Sequence, residues 1–347
     1  MGINPPELEV VANNQIRLRG SVAVRGSARR SDLTTSSVNI QSTMTTVPVS
    51  VIIPAFNAER WLERAVMSVF SGDYSPPSEV LIVDDASTDE TVNVAKRLSQ
   101  DFSSVRVLSQ AVNGGITSAR RSGLVAASNE WVAHLDADDY LSPGAVEIAF
   151  NTAIENEADL CIWERKYLRN GQSHWWPNTS DFAYPLSGRE AARLTLGRWR
   201  FHAWGVMKRD QWLAALDAVD VVTFDSDELV ARQFLFGCES ITSCDAQYFW
   251  VHNPVSTSKS DGKKVRTELL KSQAWLFDFA SENGYLDEDL SLAAQLAGRT
   301  IFLQCRILLH GLASASQDSN TVWKKALIAI VRGAFRLRDS MWHSRDL

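Results

Sequence analysis

A chain of 347 residues with 45% hydrophobic and 22% charged side chains has enough apolar material for one large folded unit or two smaller ones, which excludes a fibrous or fully disordered protein. The net charge of −6 gives no broad basic surface, so nucleic acid is not an expected partner. Cys161, Cys238, Cys244 and Cys305 form no Cys-x-x-Cys pair and meet no His at zinc-finger spacing, so they read as free thiols in a reducing compartment.

Residues 1–46 are rich in Ser, Thr, Asn and Gly and hold no aromatic residue, which predicts a disordered arm with at most one strand, at Leu18–Val24. No apolar leader segment is present, and the apolar run Ala326–Val331 is far too short to span a bilayer. A cytoplasmic setting is therefore expected.

Order is predicted to begin at Val47. Val49–Ile53 is a β-branched run suited to a buried strand, ended by Pro54 and a turn at Ala55-Phe56-Asn57. Leu62, Ala65, Val66 and Val69 then fall on one helical face. Val80–Val83 is a second buried strand that stops at Asp84-Asp85, and Ser87-Thr88-Asp89-Glu90 has the pattern of a capping box opening a helix to about Leu98. Val105–Leu108 is a third strand. Asn113-Gly114-Gly115 is a turn, Thr117–Ala127 a helix of small residues, and Trp131–Leu135 a fourth strand running into Asp136-Ala137-Asp138-Asp139. Strands alternating with helices over short loops predict a mostly parallel sheet covered on both faces. Ligands of such sheets bind beyond the C-terminal strand ends, where Pro54–Asn57, Asp84-Asp85 and Asp136–Asp139 all fall. Three adjacent carboxylates need counter-charge, and carboxylate oxygens suit a hard divalent cation, whereas a polar turn or helix cap needs only one of them.

Downstream, a helix is expected at 143–156, a strand at Asp159–Trp163, irregular Trp-, Arg- and Gly-rich chain at 164–200, a strand at 201–208 and a helix capped by Asp210. The Trp-rich stretch suits either the core or a ring-binding groove. Phe224-Asp225-Ser226-Asp227-Glu228 is a second acidic cluster opening an apolar helix. Tyr248–Val251 is a late strand, followed by a loop at Gly262-Lys263-Lys264. Helices are predicted at 269–282, 289–310 and 322–338. The last is basic and amphipathic, fit either for peripheral contact with an anionic membrane or for docking with its charges solvated.

The motifs at Val51–Asn57, Val83–Asp89, Asn113–Gly115 with Ala119-Arg120, and Leu135–Asp139, in this order and spacing, resemble family 2 glycosyltransferases of the GT-A fold. The resemblance covers about residues 48–260 and is carried most strongly to Tyr140. It implies a GT-A domain at 47–260, with a nucleotide-sugar half at 47–140 and an acceptor half at 141–260, and leaves 261–347 as a helical extension. It implies transfer of a sugar, with inversion, from a nucleotide donor of the UDP-sugar class to a glycan, lipid-linked or protein acceptor. By the same resemblance Pro54, Phe56 and Asn57 lie against the base and ribose, one carboxylate of Asp84 and Asp85, either of the two, takes the base N–H or the ribose, and Asn113 belongs to the nucleotide-binding set. Arg120, or Arg121 beside it, reaches the base or phosphates. Asp136 lies near the ribose and the metal, and Asp138 on Mg²⁺ or Mn²⁺. Asp139 is expected only to cap the next helix. Asp227 aligns with the catalytic base, but Ser226 replaces the usual Glu, so Glu228 stays open as an alternative. Trp204-Gly205 with Lys208-Arg209 resembles the acceptor-side segment, and His252 could add a metal or phosphate contact or be structural. The chemistry agrees with these residue types: a departing diphosphate gathers negative charge that a divalent cation neutralises, and the attacking hydroxyl needs a carboxylate base. Two rival readings are a fold-retaining scaffold without catalysis and a sugar nucleotidyltransferase; the latter lacks its Gly-rich loop after the first strand.

Overall fold

The computed structural model describes residues 8–11, 15–18, 46–169, 172–174, 179–196, 201–219, 226–253, 262–289 and 291–298. Within the expected arm, β1 (Leu8–Val11) and β2 (Gln15–Leu18) pair antiparallel in a sheet of their own, with Leu8 opposite Leu18. Of the expected strand at 18–24, all but Leu18 lies outside the described residues.

Among the described residues the main sheet has nine strands. The first strands are β3 (Val47–Ala55), β4 (Pro77–Asp84), β5 (Val105–Ser109) and β6 (Trp131–His134), with α1 (Leu62–Val69), α2 (Thr91–Asp101) and α3 (Ile116–Ala126) between them. Then come β7 (Tyr140–Leu141), α4 (Ala145–Glu155), β8 (Leu160–Arg169), β9 (Gln172–His174), α5 (Gly188–Thr195), β10 (Gly205–Lys208), α6 (Arg209–Ala218), α7 (Ser226–Gly237) and β11 (Ile241–Val251). The order across the sheet is β5-β4-β3-β6-β10-β8-β11-β7, with β9 on β8. Strands β5, β4, β3, β6, β8 and β11 run one way; β10, β7 and β9 run against them. This is the mostly parallel, helix-flanked sheet that the sequence predicts.

The alternation along β3 explains the layers. Val49, Val51 and Ile53 face one apolar cluster with Leu62 and Val66 of α1 and Ala149 of α4. Ile52 faces the other, with Leu124 of α3, Trp212 of α6 and Phe234 of α7. Helix α3 lies so close to β3 that a Cβ on Gly123 would stand 2.5 Å from Ile52 Cγ2. All these residues are 5% exposed or less, so the strands are covered on both faces, as parallel strands require.

Several expectations are corrected. The Ser87–Glu90 capping box does not form: α2 starts at Thr91 without a side-chain cap, because Ser87 is engaged by Asn57. A capping box exists instead at Ser187 and Glu190, opening α5 inside the stretch expected to be irregular. Strand β8 also runs past Trp163 into that stretch, and β11 begins at Ile241 rather than Tyr248. Residues 201–204 are not strand. Asp210 lies in the first turn of α6, not at its cap. The expected loop at Gly262–Lys264 is the start of α8 (Gly262–Glu282), which α9 (Tyr285–Glu288) follows. Residues 291–298 are helical and Asp289 is the extended residue that ends α9, while 290, 299–310 and all of 322–338 lie outside the described residues, as does Cys305. Cys161, Cys238 and Cys244 are free thiols. Among the described residues no helix is long and apolar enough to cross a membrane.

Candidate active site

The C-terminal ends of β3, β4 and β6 carry the site. At the end of β3, Pro54 is buried, Phe56 is 39% exposed and Asn57 adopts a left-handed φ of 50°. Asn57 braces two turns. Its N–H donates to Ser87 Oγ at 3.0 Å, and its Oδ1 accepts from the Thr88 N–H at 2.9 Å. Asp84, buried at the end of β4, accepts from the Ser87 N–H at 3.3 Å.

Asp85 has a different role from Asp84. Its N–H donates to Ala55 O at 2.9 Å. Its two carboxylate oxygens accept the N–H groups of Gly114 and Gly115, each at 2.8 Å. The Asn113 side-chain amide donates to Asp85 O at 3.2 Å. The Asn113–Gly115 loop is thus hung from Asp85 and delivers α3 to the sheet edge. Gly115, with φ of 81°, is a residue that this loop needs.

From α3, Arg120 reaches the acidic turn. Its Nη2 donates to Asp136 Oδ1 at 2.8 Å, and both the guanidinium and its partner are largely shielded, with side-chain exposures of 6% and 25%. Arg121 points elsewhere, to Asp217 at 2.7 Å on the surface. The neighbouring arginine therefore does not share the role.

The three carboxylates of the turn separate sharply. Asp139 is 1% exposed. It accepts from Tyr248 Oη at 2.6 Å and from the Val251 N–H at 2.8 Å, so it ties β6 to β11 and caps no helix; the residue before α4 is Gly144. Burial, with the like charges of Asp136 and Asp138, pushes its carboxyl well above the usual carboxylate range. Asp138 accepts from Asn253 Nδ2 at 3.0 Å, and its backbone carbonyl accepts from Arg64. Burial first, and then Asp136, raise the Asp138 carboxyl, against the lowering effect of the Asn253 bond. A carboxylate crowded in this way gains from a nearby cation.

Counter-charge also comes from Arg165 of β8, which is 5% exposed and packed between Trp204 and Trp250 with its guanidinium carbon 4.8 and 4.9 Å from the two ring centroids. Burial lowers its pKa to about 10, offset in part by Tyr248, Asp139, Glu228 and Asp136 around it. Arg64, Arg165, Tyr248 and Asn253 are the residues that sequence reading missed. The signal for Arg165 was a Glu164-Arg165 pair closing an apolar strand; nothing local marks the others.

Arg120, His134, Ala203, Trp204, Trp212, Glu228 and Ala231 line a small cleft. Neither ring nitrogen of His134 has a hydrogen-bond partner among the described residues, and burial, then Arg120, holds the imidazole neutral. Glu228, at the first turn of α7, accepts from Arg232 Nη1 at 3.4 Å. Asp227 lies on the same turn of helix, one residue before it; its side chain is outside the described residues. Lys208 and Arg209 are not at the cleft: they bind Asp159 at 2.8 Å and the Ala127 carbonyl at 2.7 Å. His252 Nδ1 lies 3.2 Å from Tyr167 Oη. Among the described residues no three His, Cys, Asp or Glu side chains form a metal-ligand group of their own.

The family model described as "Glycosyl transferase family 2" matches residues 50–214. An uncharacterized glycosyltransferase of Escherichia coli K12, YibD, is 31% identical over 189 residues, which are 50% of this chain and 54% of that protein. The chondroitin synthase of Pasteurella multocida is 35% identical over 140 residues, 38% of this chain and 14% of that one. The chain thus spans about half the length of the first of these relatives and far less of the second. Among solved structures, Staphylococcus aureus TarS 1-349 in complex with UDP superposes with a TM-score of 0.53 at 18% identity, covering 83% of this chain and 81% of that one. The same protein in complex with UDP-GlcNAc gives 0.52 at 17% identity, over 86% and 92%. These structures share the fold. The matched residues run from β3 through α6, across the whole strand-end site; over this stretch the chain is similar to glycosyl transferase family 2, and it shares the GT-A fold.

Proposed function

We propose that the protein transfers a sugar from a nucleoside diphosphate donor, with a UDP-sugar as the first candidate, to a hydroxyl of a glycan, lipid-linked or protein acceptor. The observation that carries this reading is the Arg120–Asp136 pair, held where the turns at Pro54–Asn57, Asp84-Asp85 and Asn113–Gly115 converge. UDP and UDP-GlcNAc, bound by the structural neighbour, support the donor class.

In this reading Phe56 and Pro54 offer apolar surface to the base, and Asp84 accepts a polar hydrogen from base or ribose. Asp136, oriented by Arg120, faces the ribose and the diphosphate. Asp138 and Asp136 fit Mg²⁺ or Mn²⁺ as a two-carboxylate site, because such cations take one or two protein carboxylates and complete their shell with phosphate oxygens and water. The crowding that raises the Asp138 carboxyl agrees with that fit. When bound, the cation would neutralise charge on the departing diphosphate. Asp227, or Glu228 one residue on, takes the proton of the attacking acceptor hydroxyl, and direct displacement inverts the anomeric carbon. The setting proposed is cytoplasmic, with 322–338 as the segment to test for contact with an anionic membrane.

A panel of nucleotide sugars with Mn²⁺, followed by calorimetry and by release of nucleoside diphosphate, tests this reading. Binding and slow hydrolysis of at least one donor are expected; a panel with neither would overturn it.

A further inference from the structure

We propose that Tyr248 is a positioning residue for the acidic turn: through its hydroxyl, strand β11 fixes the two carboxylates, Asp136 and Asp138, that face the donor. The inference rests on the glycosyltransferase reading for its functional consequence, but its structural half stands alone.

The geometry is a closed set of bonds. Tyr248 Oη donates to Asp139 Oδ2 at 2.6 Å and accepts from the Asp136 N–H at 3.3 Å. Asp139 spends its other oxygen on the Val251 N–H, at 2.8 Å, and its own N–H donates to Asp136 O at 3.0 Å. Asn253, two residues past β11, holds the Asp138 carboxylate at 3.0 Å. One short segment therefore binds the first residue of the turn, its last residue, and the carboxylate between them. The phenol is 1% exposed, its ring stacked on Trp163 with centroids 6.0 Å apart, so the hydroxyl has little freedom to aim elsewhere. Asp139 is buried and fully used by these bonds, which leaves Asp136 and Asp138 as the carboxylates turned toward the strand-end edge. A turn that carries like charges side by side would otherwise spread to separate them. The tyrosine hydroxyl is the group that bridges both ends of it.

Tyr248→Phe tests this with the full chain, since the ring that packs on Trp163 is kept. The first readout is hydrogen exchange, which needs no ligand. The peptide covering 135–140 is expected to exchange about tenfold faster, as the loss of a charge-assisted hydrogen bond implies, while peptides of β3 and β4 stay unchanged. The second is UDP binding by calorimetry. Affinity with Mn²⁺ is expected to fall about tenfold, and affinity in EDTA less than twofold. Unchanged exchange at 135–140 would overturn the proposal whether or not UDP binds. So would an equal loss with and without Mn²⁺, which would mark Tyr248 as packing alone. Wild-type protein that binds no UDP or other nucleotide, yet shows the exchange change in Tyr248→Phe, would refute the donor reading and leave the brace standing.

Discussion

Arg120 and Asp136 are 16 residues apart in sequence and joined at 2.8 Å in space, one from the helix that follows the Gly114-Gly115 turn and the other from the end of β6. The pair fixes the distance between the loop expected to touch the nucleotide and the turn expected to touch its phosphates. Removing the guanidinium would leave Asp136 beside Asp138 and Asp139 without its nearest cation. Arg120→Ala is expected to cost about 2–4 kcal/mol of stability, as for a largely buried pair broken on one side, and to abolish detectable UDP binding. Arg121→Ala, which breaks only a surface pair with Asp217, is expected to cost about 0–1 kcal/mol. Urea unfolding of both variants beside calorimetry checks the contrast; equal effects would remove the distinction.

Asp85 predicts a loop defect. In Asp85→Ala the N–H groups of Gly114 and Gly115 lose both acceptors, and a charge-accepting pair of bonds of this kind is worth about 2–4 kcal/mol. Nucleotide affinity should fall together with the melting temperature. Asp84→Asn, which leaves that loop intact, should weaken nucleotide binding while changing the melting temperature much less. A loop unchanged by Asp85→Ala, seen by hydrogen exchange at 112–116, would contradict this assignment.

Asp138 should couple donor binding to pH and metal. Its carboxyl is raised by burial and by Asp136. Protons therefore compete with a cation at higher pH than for an ordinary aspartate. Mn²⁺-dependent UDP affinity is expected to drop as pH falls through that raised range, and Asp138→Asn should lose the Mn²⁺ dependence altogether. Titration calorimetry across pH, on wild type and variant, reads both effects.

Asp227→Asn is expected to retain UDP binding and to lose transfer by about 10²–10⁴-fold, the usual worth of a general base. Glu228→Gln should reduce transfer far less, because Glu228 already accepts from Arg232. Initial rates with the donor found in the panel settle the order, and a reversed order would move the base to Glu228.

Two buried histidines predict the acid side of the stability curve. Burial, followed by Arg120 for His134 and by Arg165 for His202, holds both well below the ordinary histidine value. The unfolded chain thus binds protons that the folded one refuses. Stability is fully present above about pH 6.5 and declines as pH falls below it toward the depressed folded values. His134→Phe should flatten part of that decline in urea melts at pH 5 against pH 7.5; an unchanged slope would mean that His134 does not contribute.

The stretch from β3 to β6 was legible because its signals are local: β-branched runs at Val49–Ile53 and Val80–Val83, helical spacing at Leu62–Val69, and acids at strand ends. The stretch from β8 to β11 was not, for two physical reasons. Strands β8 and β11 carry Arg165 and Trp250 beside apolar residues, and the Arg165 guanidinium packs between Trp204 and Trp250 near the acidic turn, so periodicity fades there. The brace on Asp139 comes from a tyrosine 109 positions away, a separation at which no local pattern speaks. Local reading made Asp139 a helix cap for the same reason, and it made Ser87 a cap when the bond partner was Asn57, 30 residues earlier.

The placement of β11 has a consequence for the newborn chain. Synthesis delivers β3 to β6 first, and those strands can pair with one another as they emerge. The acidic turn closes only after Tyr248, Val251 and Asn253 have left the ribosome. A product that stops short of them carries β3 to β6 but not the finished turn. Completion of the site therefore certifies that at least the first 253 residues have been made.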